Sequence, residues 1–354
     1  MENNYKYCIG LMSGTSLDGI DLAYVKMNTI LYTDFTILHA ETIPYSDAWK
    51  NKLQEAIAYT NDELIKLDVA YGQFLGGILH SFIDENKIDK IDFIASHGHT
   101  ILHQPANGIT LQIGNGQEIA NQTNTKVVCD FRTQDVELGG QGAPLVPIGD
   151  KLLFSEYDYC INLGGFANIS FQNDDKRIAF DICPVNIVMN LYAQKMGFEY
   201  DDGGKIASEG VVNQQLLEKL NALDFYSQNP PKSLGLEWVQ ENIFPLIDAN
   251  ETEISSVLRT FVEHVAIQIS KNVCPKASVL ITGGGVFNTF LMKRIQYYSQ
   301  IEISSVSTEI INYKEALVFA LLGVLRVDNQ VNCLQSVTGA KRNHSSGKIF
   351  YPQK

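Results

Sequence analysis

Ser13-Gly14-Thr15-Ser16-Leu17-Asp18-Gly19 separates two apolar runs, Tyr7 to Met12 and Ile20 to Met27, and how this stretch is read decides the fold. The flanking runs predict two strands joined by a Gly-rich turn. Glycine permits φ > 0 and lets a ligand approach the backbone closely. Thr15 and Ser16 supply hydroxyl and N–H donors, and Asp18 offers oxygen to Mg²⁺, which prefers oxygen ligands and retains waters. Taken alone, the stretch is either a nucleotide-phosphate cradle or an ordinary hairpin turn, because the same residues are common turn formers.

Working outward, Thr36 to Ile43 predicts a third strand, so the chain opens as a β-meander. A second meander follows later. Tyr159 to Leu163 and Asn168 to Phe171 flank Gly164-Gly165, and Arg177 to Ile182 carries Asp181 near its end. Adjacent glycines between buried strands weaken a sheet unless something must come close. A third turn, Gly283-Gly284-Gly285, leads from the strand Val279 to Thr282 into a helix from Val286 to Tyr297. Its N–H groups and helix dipole would suit an anion. Three such turns together favour a phosphate site over three unrelated hairpins. Neither GxxxxGKS/T nor a GxGxxG opening a βαβ unit is present, which disfavours P-loop and Rossmann readings.

Helical patterns fill the rest. Thr60 and Glu63 suggest a capping box ahead of a helix through Leu64, Leu67, Tyr71, Leu75 and Leu79. Ser255 to Val273 and Tyr313 to Val327 predict long amphipathic helices, and Pro184 is placed in the first turn of another. His97 to Gln104 is expected to be a polar loop. Its three histidines, His97, His99 and His103, read better as a ligand-lining segment than as a metal site, because no carboxylate or thiol completes a set. Asp181 reads equally as a general base or as a helix-capping carboxylate. Arg132 reads equally as a bidentate carboxylate clamp or as an ion-pair partner of Asp135.

Bulk properties narrow the function classes. The 354 residues suit two domains. The formal charge of −13 comes without any Lys/Arg cluster, which argues against nucleic-acid binding. No run of about 18 apolar residues predicts a membrane span, and the N-terminus lacks a signal-peptide pattern. The six cysteines, none spaced as CxxC, are expected to be buried reduced thiols of a cytoplasmic protein.

The run Gly10 to Asp21 resembles the opening motif of the anhydro-N-acetylmuramic acid kinases. The resemblance extends through Ser96-His97-Gly98-His99-Thr100, Asp130-Phe131-Arg132, 138–147, 162–168, Pro231-Lys232-Ser233, 282–285, Glu315-Ala316-Leu317 and 336–340, nearly end to end. It implies the two-lobed α/β fold of the actin/hexokinase/Hsp70 type, related to ribonuclease H, with ATP in the cleft and Mg²⁺ beside it. It places residues 1–130 and 338–354 in one lobe and 131–337 in the other.

The implied reaction is ATP-dependent opening of 1,6-anhydro-N-acetylmuramic acid to N-acetylmuramic acid 6-phosphate, a step in peptidoglycan recycling. The resemblance also implies that Asp181 activates the water. It implies that Gly14, Thr15, Ser16, Leu17, Asp18, Gly19, Ile20 and Asp21 form the nucleotide turn, with Asp18 at the metal. His97, Arg132 and Glu315 would line the sugar, and a homodimer is expected.

The sequence departs from this pattern at one segment. Where the family has Asp-Thr-Gly-Pro-Gly-Asn, this chain has Asp181-Ile182-Cys183-Pro184-Val185-Asn186. Lost glycines would matter if the backbone there needed φ > 0. A kinase for another anhydro or amino sugar, or a non-catalytic relative that binds ATP or sugar, are the alternative readings.

Overall fold

A computed structural model describes residues 4–14 and 17–353. In chain order the strands are β1 (Tyr5–Ser13), β2 (Ile20–Asn28), β3 (Phe35–Ile43), β4 (Phe93–Ser96), β5 (His99–Gln104), β6 (Ile109–Ile113) and β7 (Val127–Cys129). They continue with β8 (Tyr159–Leu163), β9 (Phe166–Asn173), β10 (Lys176–Pro184), β11 (Ser278–Thr282), β12 (Glu302–Ile303) and β13 (Lys348–Phe350). The chain forms two compact units, Met1–Leu153 with Tyr313–Lys354, and Phe154–Asn312.

In the first unit the sheet order is β13-β7-β4-β1-β2-β3. The β1–β2–β3 meander is antiparallel, β4 runs parallel to β1, and β7 runs parallel to β4. The second unit repeats this pattern. Its order is β10-β9-β8-β11-β12, with β8, β9 and β10 antiparallel and with β11 and β12 added in parallel. Counted within each sheet, both therefore read 3-2-1-4-5, and the first adds β13 as a sixth strand, antiparallel to β7. Two copies of this ribonuclease H-like order make the α/β fold of actin- and hexokinase-type kinases.

The central strands are buried on both faces, which is why they read as continuous apolar runs and not as alternating ones. Cys8, Ile9 and Leu11 of β1 and Val279, Leu280 and Ile281 of β11 are inaccessible or nearly so. In the first unit the helix Asn61–Glu85 covers the sheet with Leu64, Leu67, Tyr71, Leu75 and Leu79, one 3.6-period face. Its capping box forms as expected. Thr60 N–H donates to Glu63 Oε2 at 2.8 Å, and Thr60 Oγ1 accepts from Glu63 N at 3.4 Å. In the second unit the helix Ile254–Ser270 packs against β10 and places Val257, Leu258, Phe261, Val262 and Val265 in the core.

Several expectations change. The unit boundaries fall at Leu153/Phe154 and Asn312/Tyr313, whereas the sequence reading placed them at 130/131 and 337/338. Two contacts explain the shift. Asp150, on the helix Pro147–Leu153, lies 2.7 Å from Lys314 Nζ on the helix Thr308–Val327, and both side chains are buried. Gly10 of β1 lies so close to that second helix that a Cβ would sit on the Ala316 carbonyl oxygen. Both segments therefore belong with β1.

The segment His97 to Gln104 is not wholly a loop, because His99–Gln104 forms β5 and pairs antiparallel with β6. Pro184 does not open a helix. It ends β10, and the helix begins at Asn186. The helix after Gly283 is also later than expected. A short 3₁₀ turn, Gly284–Phe287, comes first, and the α-helix Thr289–Ser299 is capped by Asn288, whose Oδ1 accepts from Leu291 N at 2.9 Å. That side chain already satisfies a helix N-terminal donor, so the glycines offer loop amides and not a helix terminus.

Candidate active site

The turn between β1 and β2 is described at Gly14, Leu17, Asp18 and Gly19, while Thr15 and Ser16 lie outside the described residues. Leu17 adopts φ +59, a left-handed conformation uncommon for a leucine, and its N–H donates to Gly14 O at 3.3 Å. Its side chain is buried, which anchors the turn, whereas Asp18 is exposed. Ile20 is core. Asp21 is half-buried and accepts from Thr42 Oγ1 at 2.7 Å. Burial, and secondarily the charge of Asp18, hold its carboxyl above the usual range.

Behind the turn is a network that the sequence reading did not find. Ser13 Oγ, fully buried, lies 2.5 Å from Tyr45 Oη, 2.9 Å from Tyr71 Oη and 3.0 Å from His99 Nδ1. The two tyrosine hydroxyls also bond each other. Burial lowers His99 to about 4, so its imidazole is neutral here. The available signal was chemical. A serine at a strand end and a tyrosine on a buried helix face each need a polar partner.

His97 and Arg132 are brought together. Arg132 donates to His97 Nε2 from Nε at 3.1 Å and from Nη2 at 3.0 Å, and to Gly142 O from Nη1 at 2.6 Å. A guanidinium only donates, so His97 Nε2 carries a lone pair and the ring proton sits on Nδ1. Burial, and then the adjacent guanidinium, hold His97 well below its ordinary pKa. Burial draws Arg132 down to about 10, with Glu315 opposing, so the guanidinium stays charged at neutral pH.

Arg132 is therefore neither a carboxylate clamp within the protein nor the ion-pair partner of Asp135. Asp135 instead accepts from Gly142 N at 2.7 Å and Thr338 Oγ1 at 2.8 Å. Arg132 keeps two of its five N–H donors uncommitted. Glu315, half-buried on the last long helix, is held above its usual pKa by burial, with Lys314 and Arg132 opposing and Asp21 adding to the rise. Asp21, His97, Arg132 and Glu315 thus form one electrostatically linked group.

In the second unit, the two glycine turns meet. Gly283 adopts φ +86, and a Cβ there would lie 2.6 Å from Asn162 Oδ1 and 2.8 Å from Leu163 O, so only glycine fits. The Gly164-Gly165 turn is tied to the segment after β10, because Val185 N donates to Gly165 O at 2.8 Å. The Thr282 hydroxyl beside Gly283 is fully buried and has no hydrogen-bond partner among the described residues. A buried, unsatisfied donor next to bare glycine backbone is chemistry that fits a phosphate oxygen. Exposed Asp18 is a suitable oxygen ligand for Mg²⁺.

Asp181 does not cap a helix. It lies within β10, at an irregularity where the register with β9 shifts between Asp181 and Cys183. One carboxylate oxygen, Oδ2, accepts from Leu234 N at 2.8 Å, and Asp181 N donates to Lys232 O at 3.1 Å. Burial raises its pKa, and the Leu234 amide partly offsets the rise. The partnership with 232–234 was readable only as a matched Pro231-Lys232-Ser233 motif, not as a contact.

The departures around Asp181 are absorbed by the core. Ile182, Cys183 and Val185 are all buried within the second unit's hydrophobic cluster. Neither Cys183 nor Val185 has positive φ, and Val185 sits at φ −134. The missing glycines are therefore not required for a left-handed backbone here.

Residues 6–352 match the family model described as anhydro-N-acetylmuramic acid kinase. A relative of that name from Francisella tularensis subsp. novicida is 34% identical, covering 99% of this chain and 100% of its own. Another from Acinetobacter baylyi is 32% identical, covering 94% of this chain and 96% of its own. Among solved structures, component A of (R)-2-hydroxyglutaryl-CoA dehydratase from Acidaminococcus fermentans is 11% identical, covers 89% of this chain and 96% of its own, and has a TM-score of 0.46.

Proposed function

The chain belongs to the anhydro-N-acetylmuramic acid kinase family, and from that premise we propose that it opens 1,6-anhydro-N-acetylmuramic acid with water and phosphorylates O6 from ATP. The observation that carries this reading is Asp181, a half-buried carboxylate with one oxygen anchored by a backbone amide and the other without a hydrogen bond among the described residues. Such a group is held in place and made more basic, which suits a general base.

In the reaction, Asp181 takes a proton from water and the water oxygen bonds to the anomeric carbon. The C1–O6 bond breaks, O6 takes the γ-phosphoryl group, and ADP leaves. The phosphoryl group replaces the proton that a second carboxylate would deliver in an ordinary glycosidase. Arg132, fixed by His97 and Gly142, offers its remaining donors to the sugar's carboxylate, and Glu315 offers an acceptor. The amides of Gly14, Gly165, Gly284 and Gly285 and the Thr282 hydroxyl would hold phosphate oxygens, while the Leu17 and Gly164 amides, bonded to Gly14 O and Phe166 O, fix the shape of their turns. Mg²⁺, held through Asp18, neutralises phosphate charge when bound.

The same reading places the chain in cytoplasmic peptidoglycan recycling, acting on a small sugar without nucleic-acid or membrane partners, as a homodimer. Among the described residues, no helix is long and apolar enough to cross a membrane. The test is incubation with the anhydrosugar, Mg²⁺ and ATP. ADP and a 6-phosphosugar are expected by mass spectrometry. No turnover by protein that still binds nucleotide would sink the reading. The alternative is a kinase for a different anhydro or amino sugar. Higher kcat/KM on such a sugar in a substrate panel would favour it.

A further inference from the structure

Away from the groups assigned above, Asp135, Cys333 and His344 bring one carboxylate oxygen, one thiol sulfur and one imidazole nitrogen within 4.8 Å of one another, all buried. We propose that these three side chains bind a divalent cation of the zinc class in a structural site.

The pair Cys333 and His344 is set by backbone. Each N–H donates to the other's carbonyl, at 3.1 Å and 3.2 Å, in an isolated antiparallel bridge. Residues paired this way carry their side chains on the same face. The helix Thr133–Glu137 supplies Asp135 to that face.

The imidazole is oriented as a ligand. His344 Nδ1 lies 3.2 Å from Arg342 O, and a carbonyl only accepts, so the Nδ1 proton is committed there. That leaves Nε2 as the free ring nitrogen. It is buried, lacks a hydrogen-bond partner, and lies 3.5 Å from Asp135 Oδ1. A backbone carbonyl on one ring nitrogen and a lone pair on the other is the usual second-shell arrangement of a metal-bound histidine. Metal–ligand bonds of about 2.0–2.2 Å in a tetrahedral site put neighbouring N and O ligands about 3.3–3.6 Å apart, which the His344–Asp135 separation already matches.

Charge points the same way. Asp135 is fully buried, and its hydrogen-bond donors, Gly142 N and Thr338 Oγ1, are neutral. The nearby Arg132 attracts Asp135 at a distance, but its hydrogen bonds go to His97 and Gly142 O and none reaches the carboxylate. A buried carboxylate needs a positive partner. A metal ion would supply one in direct contact, where Arg132 acts only at a distance, and Cys333 as a soft third ligand fits such an ion. Because Asp135 also holds Gly142, whose carbonyl anchors Arg132, the ion would stiffen the loop that positions Arg132.

Titrating the full chain with Co²⁺, after chelator treatment, tests this without reference to catalysis. A thiolate ligand adds charge-transfer absorption to bound cobalt, and a His–Asp ion pair binds no cobalt. One equivalent should bind with the thiolate band, and Zn²⁺ should displace it. Cys333→Ser should abolish the band, and Cys274→Ser, at the exposed thiol, should keep it. His344→Gln should weaken cobalt binding at least about tenfold. Failure of the unaltered chain to bind cobalt stoichiometrically overturns the proposal whatever the variants' folding. A band lost in Cys274→Ser but kept in Cys333→Ser also overturns it.

Discussion

The two units share a strand order but differ in how they hold polar groups. In the first unit, the ends of β1 and β4 carry side-chain networks: Ser13 with Tyr45, Tyr71 and His99, and His97 with Arg132. In the second, the ends of β8 and β11 carry glycine backbone and the Thr282 hydroxyl, which has no hydrogen-bond partner among the described residues, and β10 carries the Asp181 carboxylate anchored by an amide. The same topology therefore presents fixed cationic and imidazole groups from one unit, and bare backbone with a base from the other. Strand order places the positions, and local chemistry at the strand ends decides what each does.

The largest expected effect tests the second unit's carboxylate. Asp181→Asn should lower kcat by roughly 10²–10⁴-fold while leaving nucleotide affinity unchanged, as read by steady-state kinetics and calorimetry. An undiminished rate would remove Asp181 from the chemistry. In the unaltered enzyme, the rate should fall as pH drops through the Asp181 pKa. Because burial raises that pKa, the acid limb should lie above the ordinary carboxylate value.

Next comes the first unit's network. Arg132→Lys keeps the charge but loses the planar fork that reaches His97 and Gly142 together. The sugar KM should rise roughly 10–100-fold, in line with about 1.5–3 kcal/mol for a charged hydrogen bond. Nucleotide KM is expected to stay put. If both rise equally, Arg132 serves the whole fold and not the sugar.

Gly283→Ala probes the backbone strategy. Positive φ and contact with Asn162 and Leu163 should together cost about 1–3 kcal/mol of stability, visible as a lower urea midpoint. A neutral outcome would mean that the turn relaxes easily and is not a rigid cradle.

Within a single pH unit, the smallest effect is a slope in stability. His264 is fully buried, with Nδ1 2.8 Å from Asn221 Oδ1 and Nε2 2.9 Å from Tyr226 Oη. Burial lowers it from 6.5 to about 3. Below pH 6.5 the unfolded chain binds a proton that the native state refuses, so this contribution falls as pH drops towards about 3 and is flat above 6.5. His264→Gln should flatten the stability-versus-pH curve by about 1.4 kcal/mol per pH unit in that window. Identical slopes in both proteins would show that His264 is not the group responsible.

Much of the fold was legible, because central strands and long amphipathic helices announce themselves by apolar run and by period. The helix Asn61–Glu85 has its capping box at Thr60 and Glu63, as its sequence predicted. Edge and boundary features were less legible. β5 reads as loop in the sequence, because His99 to Gln104 is largely polar and its pairing with β6 lies outside the segment. The unit boundaries moved for the same reason. The Asp150–Lys314 pair and the Gly10–Ala316 approach join residues more than a hundred positions apart.

Ser13 through Gly19 shows the division most clearly. The residues alone fix a turn here between two strands, because each flanking apolar run must be buried and the polar, glycine-containing stretch between them need not be. Motif order alone also carried the family. What only the tertiary structure decided is which groups are charged and what they touch. His97 is neutral because Arg132 and burial make it so, Asp181 is a buried strand residue and not a cap, and Asp135 pairs with the chain's far end. Hydrogen-bond partners and desolvation depend on three-dimensional neighbours, and a sequence motif names the group without its surroundings.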